Sequence, residues 1–253
     1  MTRSSHSLLA ALLLLLIAGR GPVCAGEAAK GPTPFPDAND EKAWAGTGPI
    51  RVHPWMRDNR AWFWTQRDQA QGTVVFVGDS LTGNWKTESL QAAFPGMKIA
   101  NRGIGGDVSR GVLFRFREDV LDLRPKAIVL LIGTNDLSCH AAPAGVIENI
   151  NAIVGLAREQ DATMPIVLCT IPPRDSAVAP TRPGALADLN ARLKAYATGK
   201  EHLVLLDLFP LLVTADGAPR PECFAADKLH LAGDGYKVWS EALHPVFAAL
   251  KLE

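Results

Sequence analysis

The chain has 253 residues, and its 26 lysines and arginines balance 26 aspartates and glutamates to a formal net charge of zero. With no basic run, it lacks the electrostatic footprint of a nucleic-acid binder, and a neutral or weakly charged small-molecule or carbohydrate substrate is the expectation. Of the four cysteines only three lie beyond residue 25, which is not a disulfide framework, and with no CxxC spacing they do not suggest a zinc site.

Residues 1–25 read as an address. Arg3 supplies a positive start, Leu8 to Ala18 is an unbroken apolar run, and Val23-Cys24-Ala25 offers a small-residue cleavage site. Eleven apolar residues are too few for the roughly 20 that span a bilayer, but they suit a signal peptide. The expectation is an exported protein, secreted or periplasmic, with no stable membrane insertion after cleavage; an uncleaved anchor is the alternative. Cys139, Cys169 and Cys223 would then remain. Cys169, in an apolar run, reads as a small buried hydrophobe. Cys139 and Cys223 flank the polar loops described below and could pair in an oxidising compartment.

Residues 26–71 form a Gly-, Pro- and Ala-rich linker or extended lead-in, followed by an aromatic stretch with Trp55, Trp62, Phe63 and Trp64. Asp58 is placed to cap a helix there. The aromatic stripe is expected to pack against a core rather than to form a ligand platform.

From residue 72 to 253 the pattern alternates. Strand-like runs at 73–77, 97–101, 127–132, 166–171 and 203–206 are nearly continuous in apolar residues, as strands buried on both faces should be. Helical stretches lie at 88–93, 108–120, 144–159, 184–198 and 234–250. The alternation predicts an α/β fold: a three-layer α/β/α sandwich with about five parallel strands. Function in such sheets sits beyond the carboxyl ends of the strands.

Four polar blocks fall on that edge. Gly78-Asp79-Ser80-Leu81 follows the first run, and Asn101-Arg102-Gly103-Ile104-Gly105-Gly106-Asp107 follows the second. Gly133-Thr134-Asn135-Asp136 follows the third, and Asp227-Lys228-Leu229-His230 enters the last helix. The glycine run is not a dinucleotide fingerprint, because Val108 stands where the third glycine belongs. Ser80 is a candidate nucleophile at a strand-to-helix turn, and Asp227 can orient His230 as its base. The backbone N–H groups of Ser80 and Gly106 with the Asn135 amide are candidates for an oxyanion hole, Gly105 being the neighbouring choice. Trp85, Arg102 and Asp107 flank these residues and are candidate pocket residues, with packing, surface or capping roles as the alternatives.

These blocks, in this order over residues 72–250, resemble those of the SGNH hydrolases, the GDSL esterase/lipase superfamily. The resemblance is nearest to the branch holding the platelet-activating factor acetylhydrolase catalytic subunits and secreted bacterial esterases. It implies a flavodoxin-like fold, and acyl transfer in which Ser80 attacks, His230 is the base, Asp227 orients it, and Ser80, Gly106 and Asn135 bind the oxyanion. It calls for no metal and no cofactor. No G-x-S-x-G elbow marks an α/β-hydrolase. Short loops after the strands, with no insertion long enough for a lid, predict an open site for short-chain, chiefly acetyl, esters. O-acetylated carbohydrate is the natural substrate expected from export, a lipid acetyl ester or lysophospholipid is its rival, and a non-catalytic exported binding module is the remaining class.

Overall fold

The computed structural model describes residue 1 and residues 31–252, so the signal-peptide expectation for the N-terminus lies outside the described residues. Five apolar runs pair as one parallel sheet: β1 (Val74–Gly78), β2 (Ile99–Gly103), β3 (Ala127–Leu131), β4 (Ile166–Cys169) and β5 (Leu203–Leu206). The spatial order is β2-β1-β3-β4-β5. Central β1, β3 and β4 are buried throughout, while edge strands β2 and β5 keep half-exposed positions. This is why the inner strands read as uninterrupted hydrophobic runs.

Among the described residues, eight α-helices connect and cover the sheet. They are α1 (Pro54–Thr65), α2 (Ser80–Gly83), α3 (Thr87–Ala93), α4 (Ser109–Asp119), α5 (Thr134–Ser138), α6 (Pro143–Gln160), α7 (Ala185–Ala197) and α8 (Gly233–Ala249). α4, α6 and α7 pack in sequence on one face. On the other, the end of α3 meets α8 through Phe94 and Phe247, whose ring centroids are 5.1 Å apart, and both contact Phe76 of β1. The expected three layers are present. Among the described residues, no helix is long and apolar enough to cross a membrane.

The chain leaves β1 toward β2 on one side, then returns past β1 to β3 on the other. The crevice of such a sheet opens where the direction reverses, between the carboxyl ends of β1 and β3. β2 runs two residues further than its hydrophobicity suggests, through Arg102 and Gly103, because Gly103 pairs with Gly78. There α2 lies against β2 so closely that a Cβ on Gly103 would run into the backbone of Gly83.

Residues 31–53 are irregular apart from a 3-10 turn at Glu41–Ala43, but they do not behave as a free linker. The Arg110 guanidinium binds four of their carbonyls, those of Glu41, Trp44, Ala45 and Gly48, at 3.0–3.1 Å. Phe35 and Trp44 are buried in a second small core with Met56, Phe63 and Ile104. The following helix begins earlier than expected: Pro54 occupies its first turn and His53 its N-cap, so Asp58 lies inside it and caps nothing. The aromatic stripe is only partly core: Phe63 is buried, but Trp55 and Trp62 are exposed.

A chain of buried ions ties these parts together. Arg115, fully buried on α4, donates to Asp107 Oδ2 at 2.8 Å, to Asp119 at 3.5 Å and to the Gly78 carbonyl at 3.2 Å. Arg60 on α1 binds Asp119 at 3.1 Å, Glu118 at 2.6 Å and the Thr33 carbonyl at 2.5 Å. Removing one partner from such a network strands the others in a low dielectric, at a cost of about 3–5 kcal/mol. Arg115→Met should therefore lower the unfolding free energy by about that amount in guanidinium titration, and an unchanged midpoint would show that the network is not structural.

Candidate active site

The three switch-point loops and the loop before α8 converge. β1 runs into Asp79, whose Oδ1 accepts from the Leu81 N–H at 2.9 Å and caps the single-turn helix α2. Ser80 is the first residue of that helix, so its N–H is among the donors left without an intrahelical acceptor. Its hydroxyl lies 2.9 Å from His230 Nε2, although the two residues are 150 positions apart.

His230 is held by its own loop. An antiparallel bridge between Phe224 and Leu231 closes it, and Lys228 turns it with φ 53°. Asp227 Oδ1 accepts from the backbone N–H groups of Leu229 and His230, both at 3.0 Å, while Oδ2 lies 2.5 Å from His230 Nδ1. Partial burial works to raise the Asp227 carboxyl, but the His230 ring and these N–H groups outweigh it and hold the pKa at about 2. Asp227 thus stays ionised at any working pH and directs Nδ1–H toward itself, leaving Nε2 free to accept the Ser80 proton.

The glycine block turns sharply at Ile104–Asp107. The Asp107 N–H donates to the Ile104 carbonyl at 3.1 Å and Gly106 has φ 84°, the geometry of a type II turn with glycine at its third position. A Cβ placed on Gly105 would sit 3.9 Å from that of Ser80, so the turn stands beside Ser80. Neither Gly105 nor Gly106 donates its N–H to another described residue. Asn135, on α5 after β3, donates one amide hydrogen to the Asp107 carbonyl at 2.9 Å, leaving the other for a ligand. Its neighbour Asp136 is buried and accepts from Ser109 N at 2.9 Å and Ser109 Oγ at 2.6 Å, locking α5 to the start of α4.

Two of the three residues expected to shape a pocket do other work. Trp85 is buried with its ring centroid 4.9 Å from Tyr236 and 5.1 Å from Trp239, inside the layer formed by α3 and α8. Arg102 is buried with its guanidinium 4.7 Å from the Phe63 ring, beside Asp119 at the far end of α4, and is not in the catalytic cluster. Burial lowers its pKa to about 10. Asp107 touches the site only through its backbone carbonyl, since its carboxylate faces Arg115. The Cys139–Cys223 pairing that the sequence left open is not formed: Cys139 is exposed, Cys223 is buried, and both are free thiols.

The loops after β4 and β5 are not short. Residues 170–184 and 207–232 are the longest connections in the sheet, and they wall the site. Arg174 anchors the first by donating to the Thr134 carbonyl at 2.7 Å and Ser138 Oγ at 2.9 Å. The loops join through Lys228 and Asp175, 3.0 Å apart, and beside them opens a cavity of about 390 Å³ lined by Pro219, Pro221, Phe224 and this ion pair. On the opposite side, His53, Met56 and Arg51 border Gly106, and the Trp55 indole donates to the Gly105 carbonyl at 2.8 Å. No motif marks the lead-in as part of the site; the only local signal is the exposed Trp next to His53-Pro54, where a helix starts.

Comparison with known proteins agrees with this geometry. Residues 70–238 match the model of the GDSL-like Lipase/Acylhydrolase family. Relatives include the platelet-activating factor acetylhydrolase IB subunit alpha2 of Rattus norvegicus, 32% identical over 78% of this chain and 84% of that protein. The alpha1 subunit of Homo sapiens is 30% identical over 87% and 89%. A Bacteroides fragilis protein described as a candidate acylhydrolase superposes with a TM-score of 0.68, 28% identity, and coverage of 80% of this chain and all of that one. A GDSL-like lipase of Bacteroides thetaiotaomicron superposes at 0.61, with 25% identity over 73% and 89%. The chain belongs to the GDSL-like lipase/acylhydrolase family, within the SGNH hydrolases, and is an ester-hydrolysing enzyme.

Behind Ser80, three carboxyls are buried. Burial, with Asp107 and Asp136 nearby and the Leu81 N–H opposing, pushes Asp79 up to about 7. Burial also raises Asp136, to about 6, against its bonds from Ser109. A free aspartate titrates near 3.9. Between about pH 4 and 7 the folded chain therefore keeps a proton at Asp79 that the unfolded chain has lost, and this residue erodes stability as pH rises through that window. Asn in its place can still accept from Leu81 but does not titrate. The melting temperature of Asp79→Asn relative to wild type should accordingly be higher at pH 8 than at pH 5; a pH-independent difference would refute the raised value.

Proposed function

We propose that Ser80, His230 and Asp227 are the catalytic triad of an esterase that removes short acyl groups, acetyl foremost, from O-acylated alcohols. The observation that carries this is the unbroken relay from Asp227 Oδ2 through His230 to Ser80 Oγ, at 2.5 and 2.9 Å. His230 takes the Ser80 proton as Oγ attacks the ester carbonyl. The Ser80 and Gly106 N–H groups and the Asn135 amide receive the developing oxyanion. His230 then passes its proton to the leaving alcohol, and in the second half activates the water that frees the acid. The reaction as written uses no metal or cofactor.

The cavity beside the Asp227–His230 loop has apolar walls from its prolines and Phe224, but neither Ser80 nor His230 lines it, so it carries no assignment of the alcohol part. With the apolar run Leu8 to Ala18 read as an export signal, an O-acetylated carbohydrate met outside the cytoplasm is the preferred substrate. A lipid acetyl ester is the second reading, favoured by the identity of 30% or more to platelet-activating factor acetylhydrolase subunits. A complete relay argues against a binding module without turnover.

Ser80→Ala should reduce hydrolysis of p-nitrophenyl acetate to the buffer rate and abolish labelling by a fluorophosphonate; retained turnover would end the assignment. Asn135→Ala should lower kcat on the order of 10²–10³-fold, the usual effect of one oxyanion donor. Across acyl chains, acetyl should be preferred to octanoyl. Faster turnover of an acetylated phospholipid than of acetylated xylo-oligosaccharides would select the second reading.

A further inference from the structure

The indole of Trp55 donates to the Gly105 carbonyl at 2.8 Å. In a trans peptide that carbonyl belongs to the same rigid plane as the Gly106 N–H and points the opposite way. Holding one end of this plane therefore fixes the other. The plane is the central peptide of the Ile104–Asp107 turn, the unit that rotates when a type II turn changes to type I, and both of its residues are glycines that tolerate either state. Nothing within the turn prevents that rotation, which would carry the Gly106 N–H away from its present direction. The Trp55 bond opposes it. A donor on the carbonyl also polarises the amide and strengthens its N–H.

Trp55 is itself braced. It lies in the first turn of α1, whose start is set by Pro54, and its ring stacks on His53 with centroids 4.3 Å apart and planes 11° from parallel. Met56 and His53 flank Gly106 from the same element. With 48% of its surface exposed, Trp55 contributes less to the core than its size allows, so its hydrogen bond is the feature that needs a reason.

We propose that Trp55 is a positioning residue for the oxyanion hole, holding the Gly105–Gly106 peptide so that the Gly106 N–H meets the charge developed when Ser80 attacks. The proposal rests on the assignment of Gly106 as an oxyanion donor. Trp55 acts before substrate arrives and gains strength only through the transition state, so its loss should appear in kcat rather than in KM.

Trp55→Phe keeps an aromatic ring against His53 and removes the donor. One neutral hydrogen bond corresponds to about a three- to tenfold effect. The expected result with p-nitrophenyl acetate is a fall of about three- to tenfold in kcat with KM within about twofold. Phenylboronic acid, whose adduct with Ser80 is tetrahedral and anionic, should bind more weakly by the same factor. Benzothienylalanine at position 55 preserves the bicyclic shape without the N–H and should reproduce the loss even if the Phe variant folds poorly. Wild-type kcat in the benzothienyl variant overturns the proposal, as does a change confined to KM. Ser80→Ala, assayed alongside, separates the two levels: residual turnover there defeats the site itself, whereas an inactive Ser80→Ala with a fully active Trp55→Phe defeats only the role of Trp55.

Discussion

The Arg115 guanidinium is the point on which the site's geometry depends. It is fully buried and joins the Gly78 carbonyl, at the end of the strand that delivers Ser80, to Asp107, at the end of the turn that carries Gly106. The Gly78 carbonyl also accepts from the Ile104 N–H at 3.0 Å, so the two segments are pinned both directly and through the arginine. Asn135 adds the third loop by donating to the Asp107 carbonyl. Replacing a buried ion pair with apolar residues often costs nothing in stability, so its presence argues for something other than stability alone. Here it gives a fixed relation between three loops that would otherwise move independently, as preorganised oxyanion stabilisation requires.

The carboxylates divide by environment in a way that suits acyl transfer. Asp227, at the surface and rich in N–H partners, stays charged and faces the His230 ring, where it would stabilise an imidazolium. Asp79 lies directly behind Ser80, fully buried, with one oxygen unpaired. A full negative charge there would oppose an oxyanion formed at Ser80 in the proposed reaction. Burial that lifts its pKa to about 7 keeps a good part of the population neutral near physiological pH, and Arg174 offsets part of what remains. Two aspartates thus serve opposite needs, one charged throughout and one partly neutralised.

Much of this was legible in the sequence. The central strands could be read because burial on both faces leaves no polar positions to interrupt them, and 203–206 matches β5 to the residue. The four polar blocks mark the crevice because parallel strands present their carboxyl ends on one edge. The single-turn helix α2 was legible only as a strand-to-helix turn at Ser80, and α5 was not foreseen, since four or five residues carry no periodicity. Arg102 and Trp85 were placed in the pocket by adjacency in sequence, but a strand sends successive side chains to opposite faces, and Trp85 turns into the aromatic layer. The lead-in was hardest. Its attachment runs through Arg110 binding four main-chain carbonyls, and carbonyls carry no sequence signal.

That attachment changes what the lead-in is. Residues 31–65 are fastened at one end by Arg110 and Asn149, which exchanges two bonds with the Thr47 backbone, and at the other by Arg60 through Asp119 to Arg115. Between the fastenings lie Arg51, His53, Trp55 and Met56, all against the glycine turn. The Gly105–Gly106 peptide is therefore held from two directions: Arg115 secures Asp107 at the end of its turn, and the lead-in secures its central carbonyl. A turn with two adjacent glycines is too soft to hold an oxyanion donor unaided. The segment before the first strand supplies the stiffness that the glycines give up, which on the proposed assignment of Gly106 places it within the working structure of the site.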